Sequence, residues 1–176
     1  MAARGVVVGG ALPTLLVSVR ELAGHPAPAG AGLLVHHLGL TDLVRLSSAA
    51  AGPIAVDVDT VDGLAPDEAA IAFLRRRLGV AIVITRRPPL AARALEYGLT
   101  SLLHVHCLDS TGLEHAMAAH PGHPVGTAVS PGPILAHLSP IQRERLPRPV
   151  LAYGLIDGAG PRDAALAAGA DSVVVS

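Results

Sequence analysis

Short runs of aliphatic and β-branched residues recur along this chain at roughly twenty-residue intervals, and that rhythm constrains its fold more than any other feature. The runs are Gly5–Val8, Gly32–Val35, Ile54–Val58, Val80–Thr85, Ser101–Val105, Gly126–Val129, Val150–Ala152 and Ser172–Val175. They are nearly continuous in apolar character instead of alternating, the pattern of strands covered on both faces. Helical patterns rich in Ala and Leu lie between them. Pro66-Asp67-Glu68 opens one over Asp67–Leu78, with Arg75, Arg76 and Arg77 in its last turn and Gly79 as its stop. Others span Leu90–Tyr97, Ser110–Ala119 behind a Ser/Thr cap, and Arg162–Ala168. Ala23–Ala31 reads as a Pro/Gly/Ala loop, and Ser139–Pro149 as an Arg-rich short helix or loop.

Strand–helix alternation of this kind implies right-handed βαβ units and a parallel sheet. A count of eight strands predicts an α/β fold closed as a small (β/α)8 TIM-like barrel, one domain over residues 1–176. The sequence stops at Ser176, straight after the eighth strand, so the final helix is expected to be missing, and a partner subunit in a homo-oligomer would cover the strip this leaves.

Composition narrows the chemistry. Of 176 residues 51% are hydrophobic and 15% charged, with one Phe, two Tyr and no Trp, so the core is built of Ala, Val, Leu and Ile. Mean hydropathy is +0.51, yet Gly, Pro, Arg or Asp interrupts every apolar run before it reaches membrane-spanning length. All 13 cationic side chains are Arg. With no lysine, Schiff-base catalysis through a lysine amine is excluded. A net charge of −1 supplies no general field for nucleic acid or anionic lipid. Cys107 is the single cysteine and no signal-peptide pattern opens the chain, so a soluble cytoplasmic protein is expected.

Working residues of such barrels sit at the C-terminal ends of the strands. These ends are His36-His37, Asp57-Val58-Asp59, Thr85-Arg86-Arg87, His104-Val105-His106-Cys107, Ser130-Pro131-Gly132, Tyr153-Gly154 and Ser176. Period-two alternation puts Asp57 with Asp59 on one strand face and His104 with His106 on another. Both strands are odd-numbered, so the four side chains are candidates for one layer and for an oxygen/nitrogen metal site. Hydrogen-bonded polar groups at a barrel mouth explain the same pattern without a metal, and no metal or other cofactor is favoured. Arg86 suits bidentate capture of phosphate or carboxylate, and reads equally as a solvated loop residue. Gly154 and Ser176 fall where barrels hold phosphate on backbone N–H groups. His25, His115, His120, His123 and His137 read as surface residues, and Cys107 as a small buried hydrophobe.

The run Asp57-Val58-Asp59-Thr60-Val61-Asp62-Gly63-Leu64, followed by Asp67-Glu68, resembles the third-strand signature of the glycerol-3-phosphate-responsive antiterminators, also called glycerol uptake operon antiterminators. Ile82-Val83-Ile84-Thr85-Arg86, Leu108-Asp109-Ser110, Pro131-Gly132, Gly154-Leu155-Ile156 and Ala168-Gly169-Ala170 follow in that family's order. The likeness runs from Ile54 to Ser176. It implies a non-enzymatic barrel, with no catalytic residue, that binds glycerol 3-phosphate and the leader of a glycerol-operon mRNA and so regulates transcription. The ligand-binding set it implies is Asp59, Thr85, Arg86, Asp109, Ser110, Gly132, Gly154 and Ser176, with Arg86 as anion partner and Asp59 as hydroxyl acceptor.

The chain departs from the family pattern at the mouth. Asp57 replaces a histidine, Leu103-His104 a Gln-Arg pair, His106 an aromatic residue and Ala128 a glutamate. Tyr153-Gly154 replaces Gly-Gly, and Val174-Val175-Ser176 replaces Ser-Thr-Ser. Scarce aromatics and neutral charge thin the means of holding RNA, although Arg75–Arg77 with Arg86 and Arg87 form a local basic patch. The alternative is a diverged barrel enzyme, metal-assisted through Asp57, Asp59, His104 and His106, acting on a small phosphorylated or carboxylated substrate.

Overall fold

The structure, a computed structural model, describes residues 11–21 and 28–175. Eight strands close into a barrel in sequence order: β1 Leu15–Val19, β2 Gly32–Val35, β3 Ile54–Asp57, β4 Ile82–Thr85, β5 Thr100–His106, β6 Gly126–Ser130, β7 Val150–Ala152 and β8 Ser172–Val175. Every neighbouring pair is parallel, including the closing pair of β1 and β8, where Leu16 lies opposite Val174. The α/β barrel predicted from the apolar rhythm is therefore the fold.

One strand is not where the sequence suggests. Gly5–Val8 lies outside the described residues, and β1 is the next apolar run, Leu15–Val19. That run carries Ser18 among its aliphatic residues, which weakens its strand signal. Inside a barrel the same serine is a normal inward residue near the mouth. Ser176 and His25 also lie outside the described residues.

Helices α1 Leu40–Ala49, α2 Glu68–Leu78, α3 Pro88–Glu96, α4 Ser110–Ala119, α5 Pro140–Glu144 and α6 Ala159–Ala167 lie outside the barrel. Their ends follow local chemistry. The Asp67 carboxylate accepts the Ala70 N–H at 2.9 Å to start α2, and Gly79 ends it in the left-handed region at φ 65°. Pro88 and Pro89 occupy the first turn of α3, where an absent N–H costs nothing, so that helix begins ahead of Leu90. The cap of α4 is Asp109, not Ser110: its carboxylate accepts the Gly112 N–H at 2.6 Å. In the Arg-rich segment, Ser139 and Gln142 exchange bonds as a capping box at the start of α5.

Outward strand residues pack under the helices in two clusters. One joins β2–β4 to α1–α3 around Leu43, Ile71 and Leu74; the other joins β5–β8 to α4 and α6 around Leu113, Leu135 and Ile156. The barrel's own interior is a third, built of Leu16, Leu34, Ala55, Ile82, Ile84, Leu102, Ala128, Leu151 and Val174 under the Tyr153 ring. Gly32 and Gly126 close its lower end. A Cβ on Gly126 would sit 2.6 Å from Leu102 Cδ2, so only glycine fits there. Among the described residues no helix is long and apolar enough to cross a membrane.

Candidate functional site at the barrel mouth

Two residues above each layer of the apolar floor, the inward positions turn polar. His36 follows Leu34, Asp57 follows Ala55, His104 follows Leu102, Ser130 follows Ala128, and Tyr153 follows Leu151. Together with Arg20, His37, Arg86, His106 and Gly154 they line an open cavity of about 500 Å³ at the strands' C-terminal ends. Leu108 and Leu155, each more than two-thirds exposed, stand on its rim.

The polar groups are held by one another. Ser130 Oγ lies 2.7 Å from His104 Nε2 and 3.0 Å from His106 Nδ1. Tyr153 donates its hydroxyl to Asp57 Oδ2 at 3.3 Å, and its ring packs against those of His36 and His104 with centroids 5.7 and 5.0 Å away. The Asp57 Oδ2 to His104 Nδ1 separation is 3.9 Å. Just past β2, His36 Nε2 accepts from the Arg20 Nε–H at 3.4 Å and lies 2.7 Å from Ser18 Oγ. A guanidinium can only donate, so the neutral His36 ring carries its proton on Nδ1.

Burial decides the charge states. Burial first, then the charges of Arg20 and His37, hold His36 down at about 4. Burial, His106 and Arg86 bring His104 to about 4 as well. Both rings are thus neutral at neutral pH. Asp57 moves the other way, to about 6, chiefly because burial penalises its charged form, with Asp59 adding to the rise. Burial and the Asp57 carboxylate push the Tyr153 hydroxyl upward, so it stays protonated. Asp57 Oδ1, His36 Nδ1 and His104 Nδ1 are buried without any hydrogen-bond partner in the protein. Unpartnered buried polar atoms facing one cavity are what a polar ligand satisfies. Backbone strain collects there too: His37 at φ 52° and Leu155 at φ 57° are non-glycine residues in the left-handed region, and both line the cavity.

The family-like residues divide into two groups. Arg86 and Gly154 line the cavity. Asp59, Thr85, Asp109, Ser110 and Gly132 do not. The Asp59 side chain, 3% exposed, accepts from Thr85 Oγ1 at 3.0 Å, from the Arg86 N–H, and from Arg87 Nε at 3.2 Å, with Arg86 Nε 3.7 Å away. It thereby sets where Arg86 stands. Asp109 is spent on the α4 cap. Ser110 is the exposed first residue of α4. The Gly132 N–H donates to the carbonyls of Tyr153 and Gly154, and a side chain at Gly132 would strike Ile156, so it fixes the β6 end against the β7 loop.

The expected metal quartet is only partly assembled. Strand β3 ends at Asp57 and the chain turns into a 3-10 helix over Val58–Thr60, so period-two alternation lapses before Asp59. Asp57 and His104 do meet across the odd strands, as layer packing predicts, while the Asp59 carboxylate faces the Arg86–Arg87 turn. Among the described residues no three His, Cys, Asp or Glu side chains converge as a cation site. Away from the mouth, His120 is half-buried and pinned to Gly126 O and the Gly122 N–H. It holds the turn into β6 and is not a free surface group. Cys107 is buried, and burial raises its thiol.

His36, Ser130 and Tyr153 are among the strand-end residues named from the sequence, but the expected ligand and metal sets omit them. Their signal is parity: each lies two residues beyond an inward aliphatic residue of its strand.

Comparison with known proteins agrees with this architecture. The chain matches the glycerol uptake operon antiterminator regulatory protein of Listeria monocytogenes str. 4b F2365 with a TM-score of 0.78 at 20% identity, covering 93% of this chain and 91% of that one. A glycerol uptake operon antiterminator-related protein from Thermotoga maritima MSB8 gives 0.77 at 21% identity, over 92% and 93% of the two chains. A tetrameric deoxyribose phosphate aldolase from Aeropyrum pernix shares the barrel more distantly, at 0.58 and 16% identity over 81% of this chain and 71% of its own. At such identities these likenesses speak to fold. No curated protein sequence matches the chain. The sequence profile of the family described as glycerol-3-phosphate responsive antiterminator, however, matches residues 19–176, and on that match this chain belongs to the glycerol-3-phosphate responsive antiterminator family.

Proposed function

We propose that this protein is a ligand-controlled transcription antiterminator that takes glycerol 3-phosphate, or a close phosphorylated relative, at the barrel mouth and acts on an mRNA leader in the cytoplasm. The observation that supports this reading best is the pairing of cations with unpartnered buried acceptors and donors in one cavity. Arg20 and Arg86 stand on the wall of a space of about 500 Å³, with Asp57 Oδ1 and His36 Nδ1 unsatisfied below them. A three-carbon polyol phosphate has matching parts. Its phosphate suits the Arg86 guanidinium, which is mostly exposed and lies 3.7 Å from its resting partner Asp59, and the turn at Gly154, where φ is 76° and open space lies beside the Cα. Its hydroxyls suit Asp57 as acceptor and His36 Nδ1–H as donor.

In this reading Asp59 and Thr85 position Arg86, while Asp109, Ser110 and Gly132 shape the mouth without touching ligand. The RNA partner is drawn to the basic side of the barrel, where Arg75, Arg76 and Arg77 end α2 and Arg87 and Arg93 flank the start and end of α3. Family membership supports the regulatory role; the ligand and the RNA are the steps beyond it.

Isothermal calorimetry with glycerol 3-phosphate, glycerol and inorganic phosphate tests the ligand. The expected result is saturable binding of glycerol 3-phosphate, weaker binding of the two fragments, and at least about tenfold loss in Arg86→Ala, since a charged hydrogen bond contributes about 1.5–3 kcal/mol. No heat at millimolar glycerol 3-phosphate would overturn the ligand. A ligand-independent gel shift of the leader transcript would overturn the control.

A further inference from the structure

We propose that Ser130, His104 and Asp57 form a nucleophile, base and carboxylate set able to hydrolyse small anionic carboxylic esters in the mouth cavity. This goes beyond ligand sensing and does not require glycerol 3-phosphate to be the ligand.

Geometry carries the case. The three side chains come from three strands, β6, β5 and β3, and stand in the order that nucleophilic catalysis needs. Ser130 Oγ is 2.7 Å from His104 Nε2, within reach for proton transfer. His104 Nδ1 on the far side of the ring faces Asp57 Oδ2 at 3.9 Å, a loose contact that shortens once the ring gains a proton. His104 Nδ1 has no hydrogen-bond partner, and Asp57 keeps Oδ1 unpartnered while its Oδ2 accepts from Tyr153, so the His104 Nδ1 edge is open to the carboxylate.

The hydroxyl's single proton sets the bonding pattern. Ser130 Oγ also lies 3.0 Å from His106 Nδ1, and it can donate to only one of the two rings. The Asp57 carboxylate beside His104 Nδ1 favours the tautomer with the proton on Nδ1. Nε2 is then the acceptor for Ser130, and His106 Nδ1–H donates to the same oxygen. Asp57, His104 and His106 are also three of the positions where the chain departs from the antiterminator pattern.

The reaction follows from these roles. Ser130 Oγ attacks the ester carbonyl carbon while its proton passes to His104 Nε2. The tetrahedral oxyanion develops in a cavity walled by the Arg86 cation. The C–O bond to the alcohol breaks, and Nε2 returns the proton to the leaving alkoxide. Water, deprotonated by Nε2, then attacks the acyl carbon; the C–Oγ bond breaks, Nε2 returns the proton to Ser130 Oγ, and the acid leaves. Arg20 and Arg86 select esters that carry a phosphate or carboxylate, and the cavity volume limits them to small ones. Asp57 acts through His104 as a positioning residue.

The test uses the full chain, a fluorophosphonate probe and peptide mapping by mass spectrometry, with p-nitrophenyl acetate turnover alongside. One adduct per chain on the peptide containing Ser130 is expected. Adduct and turnover are lost in Ser130→Ala, fall about 100-fold or more in His104→Gln, and are unchanged in Ser47→Ala on the α1 surface. The wild-type rate should climb through about pH 6 as Asp57 ionises among Tyr153, His104, Asp59 and Arg86, and that step should be absent in Asp57→Asn. No adduct on folded wild-type protein, or an adduct mapping to another residue, overturns the proposal. Because the wild-type map decides the matter, a variant that fails to fold leaves the answer intact. Because neither probe contains glycerol 3-phosphate, the regulatory reading can fail separately.

Discussion

The lower and upper halves of the barrel interior are built from the same strands and follow opposite rules. Below, Leu16, Leu34, Ile82, Ile84, Leu102 and Leu151 fill the space to the point that Gly32 and Gly126 are required at the rim. Above, one step along the same parity, Asp57, His36, His104, Ser130 and Tyr153 surround an open cavity and leave polar atoms unsatisfied. A packed floor lowers the free energy of folding through burial. An unsatisfied mouth raises it, and such a cost persists where a ligand or a reaction uses the groups. Changes in the floor are therefore expected to act on stability alone, and changes at the mouth to trade stability against the proposed function.

The largest effect is expected in the floor. Leu102 is fully buried between β4 and β6. Leu102→Ala should cost about 2–5 kcal/mol through lost burial and the cavity left behind. Urea unfolding would show it as a lower midpoint, with ligand binding per folded molecule unchanged; a loss below 1 kcal/mol would mean that the floor is not the stabilising half.

At the mouth the sign reverses. Asp57 has its pKa raised from 3.8 to about 6, so the native state holds more protons than the unfolded chain between those values. Asp57's contribution to stability therefore falls as pH rises from about 4 to about 6, and that cost persists at pH 7. Asp57→Asn should relieve it, stabilising the protein by about 3 kcal/mol at pH 7 and by little at pH 4. His36 and His104 contribute the opposite slope: both are lowered from 6.5 to about 4, and their stabilisation is lost as pH falls through that window. Thermal melts of wild type and Asp57→Asn from pH 4 to 8 would reveal both. Equal melting temperatures at pH 7 would count against a strained mouth.

The smallest expected effect lies outside both halves. Asp109→Ala removes the α4 cap and should cost about 1 kcal/mol, with no change in ligand affinity. A larger effect on affinity than on melting would instead place Asp109 at the ligand.

Much of this architecture was legible in the residues. The bounds of β2, β7 and β8 coincide with their apolar runs because strands covered on both faces admit few polar side chains. The first strand was obscured because Ser18, inward and near the mouth, breaks an otherwise aliphatic run, while Val6-Val7-Val8 has higher β-propensity. At the site, odd-strand layering anticipates the meeting of Asp57 and His104. Asp59 escapes it because the chain leaves extended geometry at Val58, a turn that period-two counting does not register. Arg86 could be placed at the mouth from its strand end, but its setting on the Asp59 carboxylate depends on a contact across 27 residues of sequence.

The proposed ligand is expected at the polar mouth and not on the helical surface. A crystal structure grown with glycerol 3-phosphate tests it most directly. Density is expected for the phosphate within hydrogen-bonding distance of Arg86 and the Gly154 turn, with the glycerol hydroxyls against Asp57 and His36. Density for the ligand on the outer helices, with the mouth unchanged at a concentration that saturates binding in solution, would contradict it.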